Sequence, residues 1–236
     1  MPVLELDNVT AAYGKAEVLH GIGLKVEPGG AVGILGANGA GKTTTLRAVS
    51  GMVKTGGQVT FNGRKITGLR PDQVAGLGIS HVPQGRGTLA RLSVRDNLLV
   101  GAYRRKDSRG VAVDLEHYFE LFPQLAARRN NLAAALSGGE QQLLAIGRAF
   151  MSKPELMLLD EPSLGLAPST AQGVYEAIAE LRRHSGLSMV VVEQNAALAF
   201  SIVEEAIVLE TGHVALAGTR DELMGMDAIR EAYLGG

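Results

Sequence analysis

The chain has 236 residues, 46% of them hydrophobic, which is enough to bury one α/β domain or one domain with a small subdomain. Its formal net charge of −1 argues against a nucleic-acid-binding surface as the main function. It contains no cysteine, which excludes disulfides and thiolate metal sites and fits a reducing compartment.

Patterns of apolar residues predict strands towards both ends of the chain. In chain order the predicted strands are residues 4–6, 21–26, 31–35, 58–61, 79–83, 156–159, 189–192 and 206–209, with a turn at Asn62 and Gly63. Helices are predicted at residues 43–49, 173–184 and 228–234. Strands that alternate with helices indicate an α/β fold with a mostly parallel sheet covered on both faces.

The middle of the chain, residues 85–151, is predicted to be helical. Two apolar sets recur there at helical spacing, Val94 with Leu98 and Leu99, and Leu115 with Phe119 and Phe122, and Pro123 ends the second. A polar loop is expected at residues 106–110. Glu5 and Asp7 interrupt the apolar residues near the start, so no signal peptide is expected, and no apolar run approaches the roughly 18 residues that span a bilayer.

Residues 36–43 are the most informative stretch. They read Gly36, Ala37, Asn38, Gly39, Ala40, Gly41, Lys42 and Thr43, followed by Thr44. This is the phosphate-binding P-loop pattern G-x-x-x-x-G-K-[ST], placed between a predicted strand and a predicted helix. Glycines let backbone N–H groups approach phosphate oxygens, and the helix N-terminus adds the positive end of its dipole. We expect Lys42 to reach the β- and γ-phosphates and Thr43 to place its hydroxyl on Mg²⁺.

The apolar run at residues 156–159 ends in two acids, Asp160 and Glu161. An aspartate at the carboxyl end of a strand beside a P-loop can hold Mg²⁺ through its water shell. Glu161 can then orient or deprotonate the water that attacks the γ-phosphate. The alternative interpretation is a strand followed by a solvated acidic turn.

A second glycine-containing segment opens another predicted helix. Ser137 and Glu140 form the S-x-x-E pattern of an ordinary capping box, which is the simpler interpretation. Gly138 and Gly139 nevertheless suit close approach of the backbone to a ligand, and a helix N-terminus favours an anion. Two phosphate-seeking helix ends in one short chain suggest two halves of one site.

Together these motifs resemble, over the full chain, the ATP-binding subunits of ATP-binding-cassette (ABC) transporters. Residues 137–141 are similar to the family's signature motif, and Asp160-Glu161-Pro162 is similar to the end of its Walker B motif. The resemblance implies a P-loop NTPase (RecA-like) core at about 1–84 and 152–236, with an antiparallel β subdomain and a helical subdomain at about 85–151. It also implies that two subunits pair head to tail, so that Ser137, Gly138 and Gly139 act in trans on the ATP of the other subunit.

The resemblance assigns roles to three further residues. Tyr13 stands where the family has an aromatic residue that stacks on adenine, although local packing in a loop is the alternative. Gln84 matches a glutamine that touches Mg²⁺ and senses the transmembrane partner, although it can also be read as a polar loop residue. Gln194 stands where the family usually has a histidine that contacts the γ-phosphate. Glutamine can donate a hydrogen bond but carries no positive charge, so stabilisation there is weaker or shared with Lys42 and water.

Departures from the common family pattern indicate the subfamily. Ala167 replaces an aspartate that many members have, which puts in doubt any inter-subunit contact made by that aspartate. Residues 160–168, 192–195 and 232–236 resemble the LivF-type ATPase subunits of bacterial branched-chain amino acid importers, and urea and short-chain amide importers carry closely similar subunits. The implied setting is the cytoplasmic face of the inner membrane, with ATP and Mg²⁺, permease subunits, a second ATPase that is identical or different, and indirectly a periplasmic binding protein.

Two other functions stay open at this point. One is a soluble ABC ATPase that acts on nucleic acid or ribosomes, which the near-neutral charge and the short segment between Gln84 and Ser137 disfavour, because that segment cannot hold a long coiled coil. The other is a nucleotide-binding scaffold that hydrolyses little. Glu161 argues against the scaffold, whereas Gln194 leaves room for it.

Overall fold

The computed structural model describes residues 1–226. The predicted helix at residues 228–234 and the ending 232–236 lie outside the described residues. The strands are β1 Leu4–Tyr13, β2 Ala16–Val26, β3 Ala31–Leu35, β4 Lys54–Phe61, β5 Arg64–Lys65, β6 Ile79–Val82, β7 Leu156–Asp160, β8 Ser188–Glu193, β9 Glu205–Glu210 and β10 His213–Thr219. The helices are α1 Lys42–Val49, α2 Pro71–Gly76, α3 Val94–Gly101, α4 Ser108–Leu121, α5 Pro123–Ala126, α6 Gly138–Phe150, α7 Pro168–Ser185, α8 Ala196–Phe200 and α9 Arg220–Met224.

A six-stranded sheet with the order β10-β9-β3-β8-β7-β6 forms the centre of the molecule. Its strands pair in parallel from β9 to β6, and β10 runs antiparallel at one edge. Every residue of β3, β7 and β8 is buried, because helices and the second sheet cover both faces. The expected α/β class with a mostly parallel sheet is confirmed. The sheet brings the carboxyl ends of β3, β6, β7 and β8 to one edge, where the motifs lie.

A four-stranded antiparallel sheet, in the order β2-β1-β4-β5, packs its buried residues against the central sheet. β1 and β2 are longer than the apolar patterns at 4–6 and 21–26 predict, because polar residues and register shifts interrupt the alternation between Leu6 and Val9. Asn62 and Gly63 both have positive φ, 48° and 74°, and form the predicted turn between β4 and β5.

Helices α3 to α6 lie in the predicted helical segment, and their packing centres on Tyr118. Its buried hydroxyl donates a hydrogen bond of 2.6 Å to the carbonyl of Leu143 on α6. The loop predicted at 106–110 is wrong from Ser108 onward, where α4 begins. Asp107, directly before α4, pairs with Arg105, which also pairs with Asp114 inside the helix.

The subdomain limits at about residues 84 and 152 stay a prediction. Among the described residues, no helix combines the length and apolarity needed to cross a bilayer.

Candidate nucleotide-binding site

The loop between β3 and α1 has a backbone that only glycine accommodates at two positions. Gly36 and Gly41 have φ of 150° and 108°. A Cβ at Gly36 would come within 2.5 Å of the carbonyl oxygen of Leu209, and one at Gly41 within 2.7 Å of Leu19. Glycine is therefore required at both positions, and the tight loop that results is of the kind in which backbone N–H groups can approach a phosphate.

Lys42 places a positive charge inside this loop. Its side chain is only 4% exposed, and Nζ donates to the carbonyls of Gly36 at 2.8 Å and Ala37 at 3.1 Å. The same nitrogen lies 3.1 Å from Oε1 of Glu161, which is 8% exposed. A buried ammonium is costly unless it is paired and hydrogen-bonded. The loop thus holds a desolvated cation, and a desolvated cation attracts phosphate strongly.

Thr43 and Asp160 bring a hydroxyl and a carboxylate together beside Lys42. Thr43 Oγ1 donates to Asp160 Oδ1 at 2.9 Å. Burial is the main cause that raises the pKa of Asp160 above its usual value, and nearby Glu161 raises it further, whereas the bond from Thr43 lowers it. A divalent cation would offset the cost of burying this carboxylate, and hard oxygen ligands are those that Mg²⁺ prefers. The two side chains therefore fit a Mg²⁺ ion.

Some metal sites are instead formed entirely by protein side chains. Within residues 1–226 no group of three or more histidine, cysteine, aspartate or glutamate side chains is arranged to hold a metal ion. Mg²⁺ in phosphate-binding sites usually takes only one or two protein ligands and completes its shell with water and substrate phosphates. The small donor set of Thr43 and Asp160 agrees with that type of site.

Glu161 contacts both the P-loop, through Lys42, and the loop after β6, through Gln84. Its backbone has φ of 45°, which is uncommon for a residue other than glycine, and its N–H donates to the carbonyl of Val192 at 3.0 Å. Oε2 accepts a hydrogen bond of 3.0 Å from Nε2 of Gln84. The carboxylate of Glu161 is therefore held on one side by Lys42 and on the other by Gln84, which the sequence places in separate motifs.

Ser137, Gly138 and Gly139 lie apart from this cluster. Ser137 accepts from the N–H of Glu140 at 3.3 Å and donates its own N–H to the Glu140 carboxylate at 2.8 Å, so the predicted capping box is present at the start of α6. Among the described residues, no hydrogen bond or ion pair joins these three residues to the P-loop or to the acids after β7. One chain alone does not bring the two helix ends together.

Tyr13 and Gln194 both lie at the surface. Tyr13 is the last residue of β1 rather than a loop residue, it is 41% exposed, and its hydroxyl accepts from Arg47 on α1 at 3.1 Å. Gln194 follows β8, and its backbone N–H donates to Glu193 Oε2 at 3.1 Å. Both side chains are exposed, Gln194 at the carboxyl edge of the central sheet and Tyr13 beside α1.

Arg86 makes contacts that the sequence did not predict. It has a positive φ of 69°, and its guanidinium donates to Gln141 Oε1 at 3.3 Å and to the carbonyl of Gly165 at 3.4 Å. Arg86 therefore links the loop after Gln84 with α6 and with the loop that follows Glu161. The only sequence signal is the pair of glycines at 85 and 87, which is too weak to identify the contact.

The known proteins that this chain is similar to are ATP-binding proteins of transport systems. A family model described as ABC transporter matches residues 19–164. The chain is 42% identical over 235 residues to the high-affinity branched-chain amino acid transport ATP-binding protein BraG of Pseudomonas aeruginosa, covering 99% of this chain and 100% of the relative. It is 33% identical to the probable branched-chain amino acid transport ATP-binding protein LivF of Archaeoglobus fulgidus, covering 99% of each.

Export proteins and solved structures are also similar. The lipopolysaccharide export system ATP-binding protein LptB of Haemophilus influenzae is 32% identical, covering 100% of this chain and 98% of the relative. The crystal structure of an ATP-binding cassette of an ABC transporter in its ADP conformation matches with a TM-score of 0.84 and 25% identity over 100% of both chains. A nucleotide-free cassette matches with a TM-score of 0.83 and 25% identity, again over 100% of both. These matches confirm the P-loop NTPase fold class.

Proposed function

The chain belongs to the family of ABC transporter ATP-binding subunits, and on that premise we propose that it is the ATPase that powers a bacterial importer of branched-chain or other hydrophobic amino acids. The observation that supports the ATPase role is that the Glu161 carboxylate contacts both Lys42 and Gln84, beside the hydrogen bond between Thr43 and Asp160. The 42% identity to a branched-chain amino acid transport protein over nearly the whole chain supports the substrate class.

The proposed chemistry assigns one task to each buried group. Lys42 and the P-loop N–H groups bind the β- and γ-phosphates, and Thr43 and Asp160 hold Mg²⁺, which neutralises phosphate charge when it is bound. Glu161 orients the attacking water and accepts its proton. The water oxygen bonds to the γ-phosphorus, the bond from phosphorus to the bridging oxygen breaks, and ADP and inorganic phosphate leave.

Gln84 links this chemistry to the rest of the molecule. Glu161 is paired with Lys42, and a phosphate that takes over Lys42 would remove that partner. The hydrogen bond from Gln84 would then be the contact that keeps the Glu161 carboxylate oriented. In this proposal Gln84 also contacts Mg²⁺, and Gln194 donates its amide to the γ-phosphate from the end of β8. Tyr13, beside Arg47 at the edge of α1, stacks on the adenine.

The second half of each site comes from a second ATPase subunit. In the part of the chain that the structure describes, no hydrogen bond or ion pair joins the N-terminus of α6, with Ser137, Gly138 and Gly139, to the P-loop of the same chain, which supports a role for it at the γ-phosphate held by a neighbour. We propose head-to-tail pairing with a copy of this chain or with a different ATPase subunit. ATP binding closes the pair, and hydrolysis lets it open.

A groove on the surface offers a docking place for a permease subunit. It has a volume of about 880 Å³ and is lined by residues of α2, β6, α3 and α6. Apolar side chains stand exposed at its rim, Tyr103 at 90%, Met52 at 53% and Val100 at 45%. Gln84 follows the strand that forms part of its wall, so a segment of the membrane partner seated there would move the loop that holds Glu161. The chain would then act peripherally, on the cytoplasmic face of the membrane.

Replacement of the proposed base tests the ATPase role. Because general base catalysis contributes about 100-fold or more, Glu161→Gln is expected to reduce turnover by at least about 100-fold. Affinity for a fluorescent ATP analogue is expected to persist, since Lys42 and the P-loop remain. Glu155→Gln, at the opposite end of β7 and paired with Asn62, is the matched control and should hydrolyse ATP like the wild type. Unchanged turnover in Glu161→Gln would overturn the assignment of the base.

The substrate class needs the whole importer. Genes for a leucine-type binding protein, two permeases and a second ATPase beside this gene would support the proposal. Uptake of labelled leucine by cells that express this set is expected to stop when the chain carries Glu161→Gln. Uptake of urea or a short-chain amide in place of leucine would assign the same ATPase to a different importer.

A further inference from the structure

Glu193 is a buried acid that none of the roles above uses. It is the last residue of β8, directly before Gln194, and it is 2% exposed. Its carboxylate accepts hydrogen bonds from the Tyr175 hydroxyl at 2.8 Å, from the Ser163 N–H at 3.1 Å and from the Gln194 N–H at 3.1 Å. Burying a carboxylate is costly, and this one is compensated by donors from three different segments.

Tyr175 supplies the shortest of these bonds from α7. Its side chain is fully buried, and burial together with the adjacent Glu193 carboxylate raises its pKa well above the usual value. The phenol therefore keeps its proton at any working pH and always donates. The orientation of Glu193 is thus set by α7, the helix that follows the loop after Glu161.

The remaining two donors belong to the segments that carry the proposed chemistry. Ser163 is two residues after Glu161, and Gln194 is the residue assigned to the γ-phosphate. The backbone already joins the same two segments, since the Glu161 N–H donates to the carbonyl of Val192. The side chain of Glu193 extends this link beyond Asp160 and Val192, the last residue pair of the ladder between β7 and β8.

We propose that Glu193, oriented by Tyr175, is a positioning residue that keeps Glu161 and Gln194 in register with each other for attack on the γ-phosphate. The inference rests on the proposed roles of those two residues and adds a pair that itself touches no nucleotide. A carboxylate that takes two donors on Oε1 and one on Oε2 fixes both strand ends at once. An error of about 1 Å in such a register is enough to lower turnover by as much as 100-fold.

Two conservative variants test this role. Tyr175→Phe removes only the hydroxyl, and Glu193→Gln puts an amide donor where donors already converge. Each is expected to lower kcat for ATP hydrolysis about 10-fold, while the Kd for a fluorescent ATP analogue stays within about 2-fold. The double variant should lose less than the product of the two single effects, because in this proposal Tyr175 acts only through the side chain at position 193. Hydrogen exchange of the Ser163 and Gln194 amides should become faster in each.

Tyr118→Phe is the matched control. It removes an equally buried hydroxyl that donates to a backbone carbonyl between α4 and α6, away from the strand ends. It should lower the Tm by a similar amount as Tyr175→Phe and leave kcat unchanged. Equal losses of kcat in both tyrosine variants would show a merely structural role, and so would parallel losses of kcat and affinity. Wild-type kcat in Tyr175→Phe would overturn the proposal. If Glu193→Gln does not fold, Tyr175→Phe is sufficient to test the proposal.

Failure of the inference and failure of the proposed function give different results. If Glu161→Gln retains turnover, the base assignment is wrong whatever Glu193 does. If Glu161→Gln is inactive and the Tyr175 and Glu193 variants turn over normally, only the positioning role is wrong. Hydrogen exchange of the Ser163 and Gln194 amides tests the link between these two residues independently of ATP hydrolysis.

Discussion

The P-loop cluster and the signature segment both lie at a helix N-terminus, yet they are built in opposite ways. The P-loop cluster, Lys42, Thr43, Asp160 and Glu161, is tied together by bonds of 2.9 to 3.1 Å between segments far apart in the chain. Within residues 1–226, the hydrogen bonds that cap the signature segment, residues 137–139, come from its own helix through Glu140.

If the site is shared between two chains as proposed, this difference indicates which half one chain can complete by itself. Breaking a buried pair such as Lys42–Glu161 leaves an uncompensated charge and costs about 3–5 kcal/mol, so the first half is already organised within one chain. The signature segment loses little by exchanging solvent for a ligand. We therefore expect nucleotide affinity to depend on the first half alone, and turnover to depend on both.

Lys42→Ala is the change with the largest expected effect on this comparison. Loss of hydrogen bonds from a charged group should weaken binding of a fluorescent ATP analogue by roughly 10- to 100-fold. Lys54→Ala, an exposed lysine on β4, provides the control and should bind like the wild type. Wild-type affinity in Lys42→Ala would contradict the phosphate role of the P-loop.

Ser137→Ala probes the second half and should act differently. It is expected to lower turnover about 10-fold through the shared site, with no change in the affinity of a single chain for ATP. Ser93→Ala removes the same kind of N-cap from α3, where Ser93 accepts from the Asp96 N–H at 3.0 Å. Both variants should lose about 1 kcal/mol of unfolding free energy, and only Ser137→Ala should lose turnover. A drop in single-chain affinity in Ser137→Ala would mean that the two halves belong to one chain.

Gln194→His gives the smallest expected effect. Histidine can add a charged donor toward the γ-phosphate, so the KM for ATP should fall, and turnover at saturating ATP should stay the same or rise by about 2- to 5-fold. Steady-state kinetics across a range of ATP concentrations measure both, and Asn195→His, one residue further on, is the control. An ATP dependence identical to that of the wild type would favour a plain polar loop residue at position 194.

The sequence predicted best those elements whose pattern lies in adjacent residues. β3 agrees with its predicted limits, since a continuous apolar run between turn residues needs no tertiary information, and the strands at 156–160 and 188–193 follow the same rule. β10, α2 and α9 were not predicted, because β10 is a half-exposed edge strand and the two helices are too short to show a period. The charged residues around Ser108 were assigned to a loop, because the ion pair between Arg105 and Asp114 that ties the start of α4 to the preceding segment joins residues nine positions apart.

By itself the sequence determined the family and predicted the P-loop and the acids at the end of β7, because these depend on adjacent residues whose spacing carries the chemistry. Only the tertiary structure placed Glu161 between Lys42 and Gln84, and Glu193 between Tyr175 and Ser163. The physical reason is the parallel sheet, which brings the carboxyl ends of β3, β6, β7 and β8 to one edge, although the chain between those ends is long. The P-loop cluster is complete because the sheet assembles it, and the signature segment stays apart because its helix starts from a different part of the fold.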